Sequence, residues 1–255
     1  MILAVDVGNT NIVLGCLKGD ETLFIERLST DTGKTAMEYA ILIRAAFQVH
    51  KISPGKLGGA IIGSVVPWVT TVLSDAIWKL FSIRALIVGP GLKTGLNIRL
   101  EDPNAVGADL VAGAVGALYK YSAPLIIIDM GTATTIAVVD AESNYLGGMI
   151  MPGVRMSLGS LVSKAAMLKD VSLRPPKGAI GRNTEDAIRS GILYGHAAML
   201  DGLIDRAEEE LGQKAVIVAT GGLAPTVVKA CRHEILEDDD LLLTGLRVIY
   251  EKNRH

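Results

Sequence analysis

Cysteine is nearly absent from this chain: only Cys16 and Cys231 occur in 255 residues. Without a Cys-x-x-Cys pair or histidines at metal-ligand spacing, a disulfide framework and a zinc-ribbon type of site are excluded. Both thiols are expected as core residues in a reducing cytosol. Aromatic residues make up only 4%, so stacking platforms for single-stranded nucleic acid are not expected. Neither sign of charge dominates, with 25 Lys and Arg against 27 Asp and Glu, and no basic block supplies the footprint of a DNA or RNA binder. Long apolar runs are missing too. Mean hydropathy is +0.39, yet the most apolar stretch, Leu110 to Ile128, is broken by Lys120 and Pro124, whereas a membrane span needs about 20 largely uninterrupted apolar residues. The N-terminal apolar run meets Asp6 at once and lacks a basic region, so no secretory leader is expected. No Gly-x-Ser-x-Gly elbow, His-Glu-x-x-His pair or Walker-type loop occurs. His50, His196, His233 and His255 are scattered and receive no role. These absences leave a cytoplasmic protein with a small ligand and neither a nucleic-acid nor a membrane partner.

What the chain does contain is one message written twice. An apolar strand ends in Asp-x-Gly, polar Thr-rich residues follow, and apolar residues resume. The first copy runs from Ile2 through Asp6-Val7-Gly8-Asn9-Thr10-Asn11 to Ile12, Val13 and Leu14; the second runs from Leu125 through Asp129-Met130-Gly131-Thr132 to Val139. The two aspartates lie about 120 positions apart, too far for a solenoid repeat of about 20 to 50 residues, so a whole domain is duplicated. Glycine and small polar residues at each tip let backbone N–H groups approach an anion closely. Two such tips would grip a polyphosphate.

Around each hairpin, strands and helices alternate as in a mixed sheet covered on both faces. The spacing predicts a helix over Thr35 to Val49, a buried strand over Gly59 to Val66, a strongly amphipathic helix from Pro67 to Phe81 and a strand over Arg84 to Val88. In the second half it predicts a strand over Tyr145 to Met151, a helix from about Val154 to Leu168, a long helix from Thr184 to Leu211 weakened at Gly191 and Gly195, a buried strand over Ala215 to Thr220, and a closing helix from Leu241 to Lys252. The acidic run Glu237 to Asp240 suits that last helix's N-terminal dipole. The resulting expectation is an α/β chain of two duplicated domains, residues 1–115 and 116–255, each with a mixed five-stranded sheet flanked by helices.

A lone Asp-x-Gly is commonly an Asx-turn that serves only its own hairpin. Two copies at matching points favour carboxylates aimed at a phosphate-bound cation. Gly221-Gly222, after a buried strand, allows close approach of a flat ligand. Gly107-Ala108-Asp109-Leu110 opens a small-residue helix, where Asp109 is either a first-turn residue favoured by the dipole or a general base with space beside it for a substrate. Thr184 is similarly open, since Asn183-Thr184 also reads as a helix start.

The paired hairpins resemble those of the superfamily that contains acetate and sugar kinases, the heat-shock chaperone ATPase and actin, built from ribonuclease H-like domains. Asp6-Val7-Gly8-Asn9-Thr10-Asn11, Ser64-Val65-Val66-Pro67, Gly107-Ala108-Asp109, Asp129-Met130-Gly131-Thr132-Ala133-Thr134-Thr135, Gly147 to Gly153 and Gly181-Arg182-Asn183-Thr184 are similar, in order, to the motifs of type III pantothenate kinases. The resemblance implies transfer of the ATP γ-phosphate to pantothenate, the first step of coenzyme A biosynthesis, by a cytoplasmic homodimer. It implies that Asp6 to Val13 form the first phosphate hairpin, with Asp6 orienting Mg²⁺-bound phosphates. It further implies that Gly131, Thr132, Gly221 and Gly222 contact ATP and that Asp129 binds a monovalent cation, K⁺ or NH₄⁺. Leu100, Gly107, Ala108, Asp109 and Leu110 would line pantothenate, with Asp109 as base, and Thr184 would touch the substrate across the dimer. Relatives commonly have an aromatic residue in place of Leu100 and a basic one in place of Leu110, which keeps open a kinase of the same fold with another small acceptor. A non-catalytic regulatory relative would be expected to lose the hairpin aspartates, and an actin-like filament former would need a longer chain.

Overall fold

In the computed structural model, residues 1–164 and 171–254 are described. They form two units, residues 1–120 together with 240–255, and residues 121–239.

The first unit opens with β1 (Ile2–Val7), β2 (Asn11–Lys18) and β3 (Glu21–Ser29), an antiparallel meander. It continues through α1 (Ala36–Val49), β4 (Ala60–Ser64), α2 (Pro67–Phe81), β5 (Leu86–Ile87), the short β6 (Asn97–Ile98) and α3 (Ala108–Lys120). Strands β4 and β5 run parallel to β1, and the sheet order is β3-β2-β1-β4-β5. β1 and β4 read as unbroken apolar runs because both their faces are covered. Leu3, Val5 and Val7 pack with Tyr39, Ile43 and Phe47 of α1 and with Val69, Leu73 and Ile77 of α2. Ala4 points the other way, into a cluster with Val111, Ala112 and Val115 of α3. Successive strand side chains alternate between faces, so Asp6 leaves β1 on the side covered by α3.

Local signals fix the helix starts. Thr35 caps α1 in a capping box, accepting from the Glu38 N–H at 3.4 Å while Glu38 Oε2 accepts from the Thr35 N–H at 2.8 Å; two N–H groups of the first turn are thereby satisfied. Pro67 opens α2, where its missing N–H costs nothing.

The second unit repeats the plan. β7 (Leu125–Met130), β8 (Ala133–Val139) and β9 (Asn144–Pro152) form an antiparallel meander, followed by α4 (Val154–Lys164), α5 (Thr184–Leu211), β10 (Val216–Thr220), α6 (Ala224–Val227) and β11 (Leu236–Glu237). β10 runs parallel to β7, and β11 to β10, so these strands run β9-β8-β7-β10-β11. Strand for strand this matches the first unit, as duplication requires. Ala197, Leu200, Ile204 and Ala207 of α5 cover Ile126, Ile128, Ile136 and Val138. α5 is continuous through Gly191 and Gly195. The helix expected from Val154 to Leu168 is present as far as Lys164; residues 165–168 lie outside the described residues.

The closing helix, α7 (Leu241–Asn253), is where sequence and structure divide the chain differently. The sequence expectation groups it with residues 116–255, but it belongs to the first unit. A Cβ on Gly116 would lie 2.1 Å from the Leu241 carbonyl oxygen, and one on Gly245 would lie 1.8 Å from that of Ala112. α3 and α7 therefore meet backbone to backbone, and Leu243, Leu246 and Ile249 complete the core around Ala4 and Ile61. Asp240 does not cap α7 with its side chain; its carboxylate accepts instead from Thr22 Oγ1 at 2.8 Å and from Lys120 Nζ at 2.5 Å.

Candidate active site

At the carboxyl end of the first unit's parallel strands, three segments converge. The β1–β2 turn is closed by a bond from the Gly8 N–H to the Asn11 carbonyl at 3.0 Å. Asp6 is the cross-strand partner of Val13 and lies beside Gly63 in the parallel register. The chain leaving β4 is tied to β1 by a bond from the Val65 N–H to the Val7 carbonyl at 3.1 Å. Gly107 reaches the same place, because a Cβ on it would stand 3.8 Å from Val65 Cγ1.

That contact brings the start of α3 to the sheet end where Asp6 emerges. Asp109 lies in the first turn of α3, where the helix dipole favours its negative charge, and its Oδ1 accepts from the Leu110 N–H at 2.9 Å. A Cβ on Gly107 would be 2.3 Å from that Oδ1, so glycine there is what admits the carboxylate. Asp6, Gly107, Asp109 and Leu110 are all half-buried, while Asn9, Thr10 and Asn11 are exposed at the tip and Ile12 is fully buried. Asp6, the hairpin through Val13 and the Gly107-to-Leu110 segment thus share one end of one sheet. Leu100, half-buried, follows β6, whose Ile98 packs on the α3–α7 core.

In the second unit, Asp129 occupies the position on β7 that Asp6 occupies on β1. It pairs with Thr135 across the hairpin and with Thr220 on β10. Residues directly opposite in a sheet share a face, so a carboxylate and two hydroxyls cluster on one side of the strand ends. Gly221 closes over them, with φ +97°. A Cβ there would lie 2.7 Å from the Met130 backbone and 2.8 Å from Asp129 Oδ1. Only glycine satisfies both the backbone angle and the space. An oxygen-only donor set of this kind suits a hard cation. Gly131 and Thr132 are exposed at the hairpin tip, and the Gly153 N–H bonds to the Thr132 carbonyl at 3.2 Å. Gly222 is exposed beside Gly221. Thr184 stands exposed as the first residue of α5, with Asn183 as the cap whose side chain accepts from the Asp186 N–H at 2.8 Å.

Two groupings were not visible in the sequence. Thr30, just past β3, bonds to the first hairpin tip twice: its Oγ1 donates to the Gly8 carbonyl at 2.7 Å and its N–H to the Thr10 carbonyl at 2.9 Å. Asp205, Glu208 and His233 bring three ligand-type atoms within 4.8 Å. Lys214 already donates to Glu208 Oε2 at 2.6 Å, and His233 Nε2 lies 3.0 Å from Asp205. Glu208 also accepts from the Ala215 N–H at 3.2 Å, at the approach to β10. These contacts make the grouping an ion-pair network that joins the end of α5 to the strand, and the hydrogen bond to Glu208 raises the Lys214 pKa.

The family profile of type III pantothenate kinase matches residues 2–206. Type III pantothenate kinases of an Exiguobacterium species and of Brevibacillus brevis are 44% and 42% identical to the chain, covering the whole of it and the whole of each relative. Among solved structures, a Campylobacter jejuni chain described as a Baf family transcriptional activator has a TM-score of 0.60 at 17% identity, covering 98% of both chains. Component A of the (R)-2-hydroxyglutaryl-CoA dehydratase of Acidaminococcus fermentans has a TM-score of 0.59 at 15% identity, covering 98% of this chain and 96% of that one. At these identities the two structures speak for the fold alone. On the family match and the full-length relatives, the chain belongs to the type III pantothenate kinases.

Proposed function

We infer that the chain phosphorylates pantothenate with ATP, giving 4'-phosphopantothenate for coenzyme A biosynthesis, and we assign the following roles to its residues. Family membership carries the reaction; the single structural observation that supports the roles is the pair of Asp-x-Gly hairpins at equivalent positions of two matching sheets. Residues 6–13 are assigned to the ATP phosphates, and Gly131, Thr132, Gly221 and Gly222 to nucleotide contact. Phosphoryl transfer asks a protein mainly to position the reactants and to neutralise charge.

Asp109 is the base. The pantothenate hydroxyl oxygen forms a bond to the γ-phosphorus, the bond from that phosphorus to the bridging oxygen of ADP breaks, and the hydroxyl proton passes to the Asp109 carboxylate. The bond from the Leu110 N–H uses one of the roughly four lone-pair directions of the carboxylate and fixes its rotamer. Leu100, Gly107, Ala108 and Leu110 line the acceptor.

Two cations complete the assignment. Asp6 would orient Mg²⁺-bound phosphates, and Asp129, with the hydroxyls of Thr135 and Thr220 on its face, would hold K⁺ or NH₄⁺; the cations would supply positive charge that offsets the charge of the triphosphate. Apolar side chains stand exposed on the second unit, Ile150 at 75%, Ile180 at 88%, Met156 at 48% and Leu161 at 44%. We assign these side chains to the interface of a homodimer in which Thr184 reaches the partner's substrate. No helix among the described residues is long and apolar enough to cross a membrane, and the near balance of charge gives nucleic acid no footprint. The chain is accordingly assigned to the cytoplasm, with neither a membrane nor a nucleic-acid partner.

A second reading, a kinase of this fold acting on another small alcohol or carboxylate, is favoured only by apolar Leu100 and Leu110 at positions that would face an anionic substrate. A coupled assay of ADP release separates the two. Pantothenate-dependent release that rises on adding K⁺ is expected; a higher kcat/KM for another acceptor in a panel would replace pantothenate, and release indifferent to every acceptor would remove the kinase assignment.

A further inference from the structure

The first hairpin tip is closed by its own bond from the Gly8 N–H to the Asn11 carbonyl, and it is held from outside as well, by Thr30. Thr30 lies just beyond β3 and spans the tip, with its hydroxyl on the Gly8 carbonyl at 2.7 Å and its N–H on the Thr10 carbonyl at 2.9 Å. In a planar trans peptide the C=O and the following N–H point in opposite directions. Fixing the Gly8 and Thr10 carbonyls toward Thr30 therefore turns the N–H groups of Asn9 and Asn11 away from it. Thr30 is itself anchored through the next residue. The Asp31 N–H donates to the Tyr39 hydroxyl at 3.0 Å, and that hydroxyl donates to the Asp31 carbonyl at 2.9 Å. Tyr39 is fully buried in the core of the first unit, on α1. Hydrogen bonds from a core tyrosine to Asp31 and from the neighbouring Thr30 to the exposed tip are thus linked through the Thr30–Asp31 peptide bond.

We propose that Thr30 is a positioning residue for the triphosphate: by clamping two carbonyls of the β1–β2 tip it presets the direction of the tip's N–H donors, with Tyr39 as the anchor behind it. This rests on the assignment of the first hairpin to the ATP phosphates. The bond from the Gly8 N–H to the Asn11 carbonyl does not fix the Gly8 carbonyl, and donors aimed before the ligand arrives lose less orientational freedom when it binds. Thr30 need not touch ATP to act in this way.

The test compares Thr30→Val, which keeps the β-branched shape without the donor, with Thr30→Ser, which keeps the hydroxyl, and Tyr39→Phe, which keeps the buried ring. Steady-state constants for ATP and pantothenate are read alongside direct binding of a non-hydrolysable ATP analogue and of AMP. Thr30→Val is expected to lower kcat/KM for ATP and affinity for the triphosphate analogue about 10- to 100-fold, leaving AMP affinity and the KM for pantothenate within about threefold. Thr30→Ser should restore most of the loss, and Tyr39→Phe should show a smaller loss in the same direction. Equal losses toward triphosphate, AMP and pantothenate, failure of serine to rescue, or an unchanged kcat/KM for ATP in Thr30→Val would overturn the proposal. Should Thr30→Val fail to fold, the triphosphate-to-AMP ratio in Tyr39→Phe decides: a selective loss supports the clamp, and an unchanged ratio rejects it. Asp6→Asn serves as the control for the underlying assignment. If it too leaves triphosphate affinity and turnover unchanged, the hairpin is not the phosphate site; if it is impaired while Thr30→Val is normal, only the clamp falls.

Discussion

Replacing Asp109 by Asn separates chemistry from architecture. The amide retains an Oδ1 that can accept from the Leu110 N–H, the bond that measures 2.9 Å in the native chain, and it is nearly the same size as the carboxylate beside Gly107. What disappears is a negative charge in the first turn of α3 and the ability to take a proton. The first loss removes about 0.3 to 1 kcal/mol of helix-dipole stabilisation, which in a chain of this size lowers Tm by about 1 to 4 °C. The second, in the role proposed for Asp109, removes a general base, a factor of about 10² to 10⁴ in kcat, equivalent to about 2.7 to 5.4 kcal/mol in the barrier at 1.36 kcal/mol per decade. Kinetics should therefore show a large fall in kcat with the KM for pantothenate within a few-fold of normal, while a melting curve moves by only a few degrees. Turnover within threefold of the native enzyme would remove Asp109 from proton transfer. A rise in KM alone would recast it as a binding residue.

Gly221→Ala places a methyl group at φ +97°, 2.7 Å from the Met130 backbone and 2.8 Å from Asp129 Oδ1; strain and overlap together are expected to cost about 3 kcal/mol. A drop in Tm of about 6 to 12 °C, with a raised K⁺ requirement in whatever remains folded, is the expected result, and a native-like Tm would show that the strand end relaxes. The cysteines should be inert. Burial, and then the charge of Asp201, pushes the Cys231 thiol from its ordinary 9.0 up to about 12, and burial raises that of Cys16. Because the folded state favours the protonated thiol, the associated stability is intact below about pH 9 and declines as pH climbs toward 12. Iodoacetamide at pH 8 should leave both residues unmodified in the folded chain and alkylate both in guanidinium; rapid native labelling would contradict the burial.

The hairpins were legible because their signal is local: an apolar run ending in Asp-x-Gly dictates a strand, a turn and a carboxylate at the strand end, and writing it twice dictates two sheets of one plan. The helix start at Asp109 was legible for the same reason, marked by small residues. The home of α7 was not, since helical periodicity announces that one face is buried without saying against what. Gly116 and Gly245, the two residues that let α7 meet α3 backbone to backbone, read in sequence only as weak helix formers. The grouping of His233 with Asp205 and Glu208 was hidden by a separation in sequence that no spacing rule spans.

Thr30 exposes the deeper limit. A motif such as Asp6-Val7-Gly8-Asn9-Thr10-Asn11 states which peptide groups stand at a tip, but the glycine that makes the tip permissive also leaves its peptide planes unspecified. Their direction is set by where the carbonyls find donors, and here the donor for Gly8 comes from a hydroxyl about 20 positions further on. In Ser29-Thr30-Asp31-Thr32 that hydroxyl looks like any strand-end threonine, equally suited to capping a turn or facing water. Only the fold, by placing β3 beside β2 and seating Tyr39 in the core, turns it into a clamp. The chemistry-bearing residues of such a site are therefore written in its motifs, whereas the residues that orient them are written in the topology.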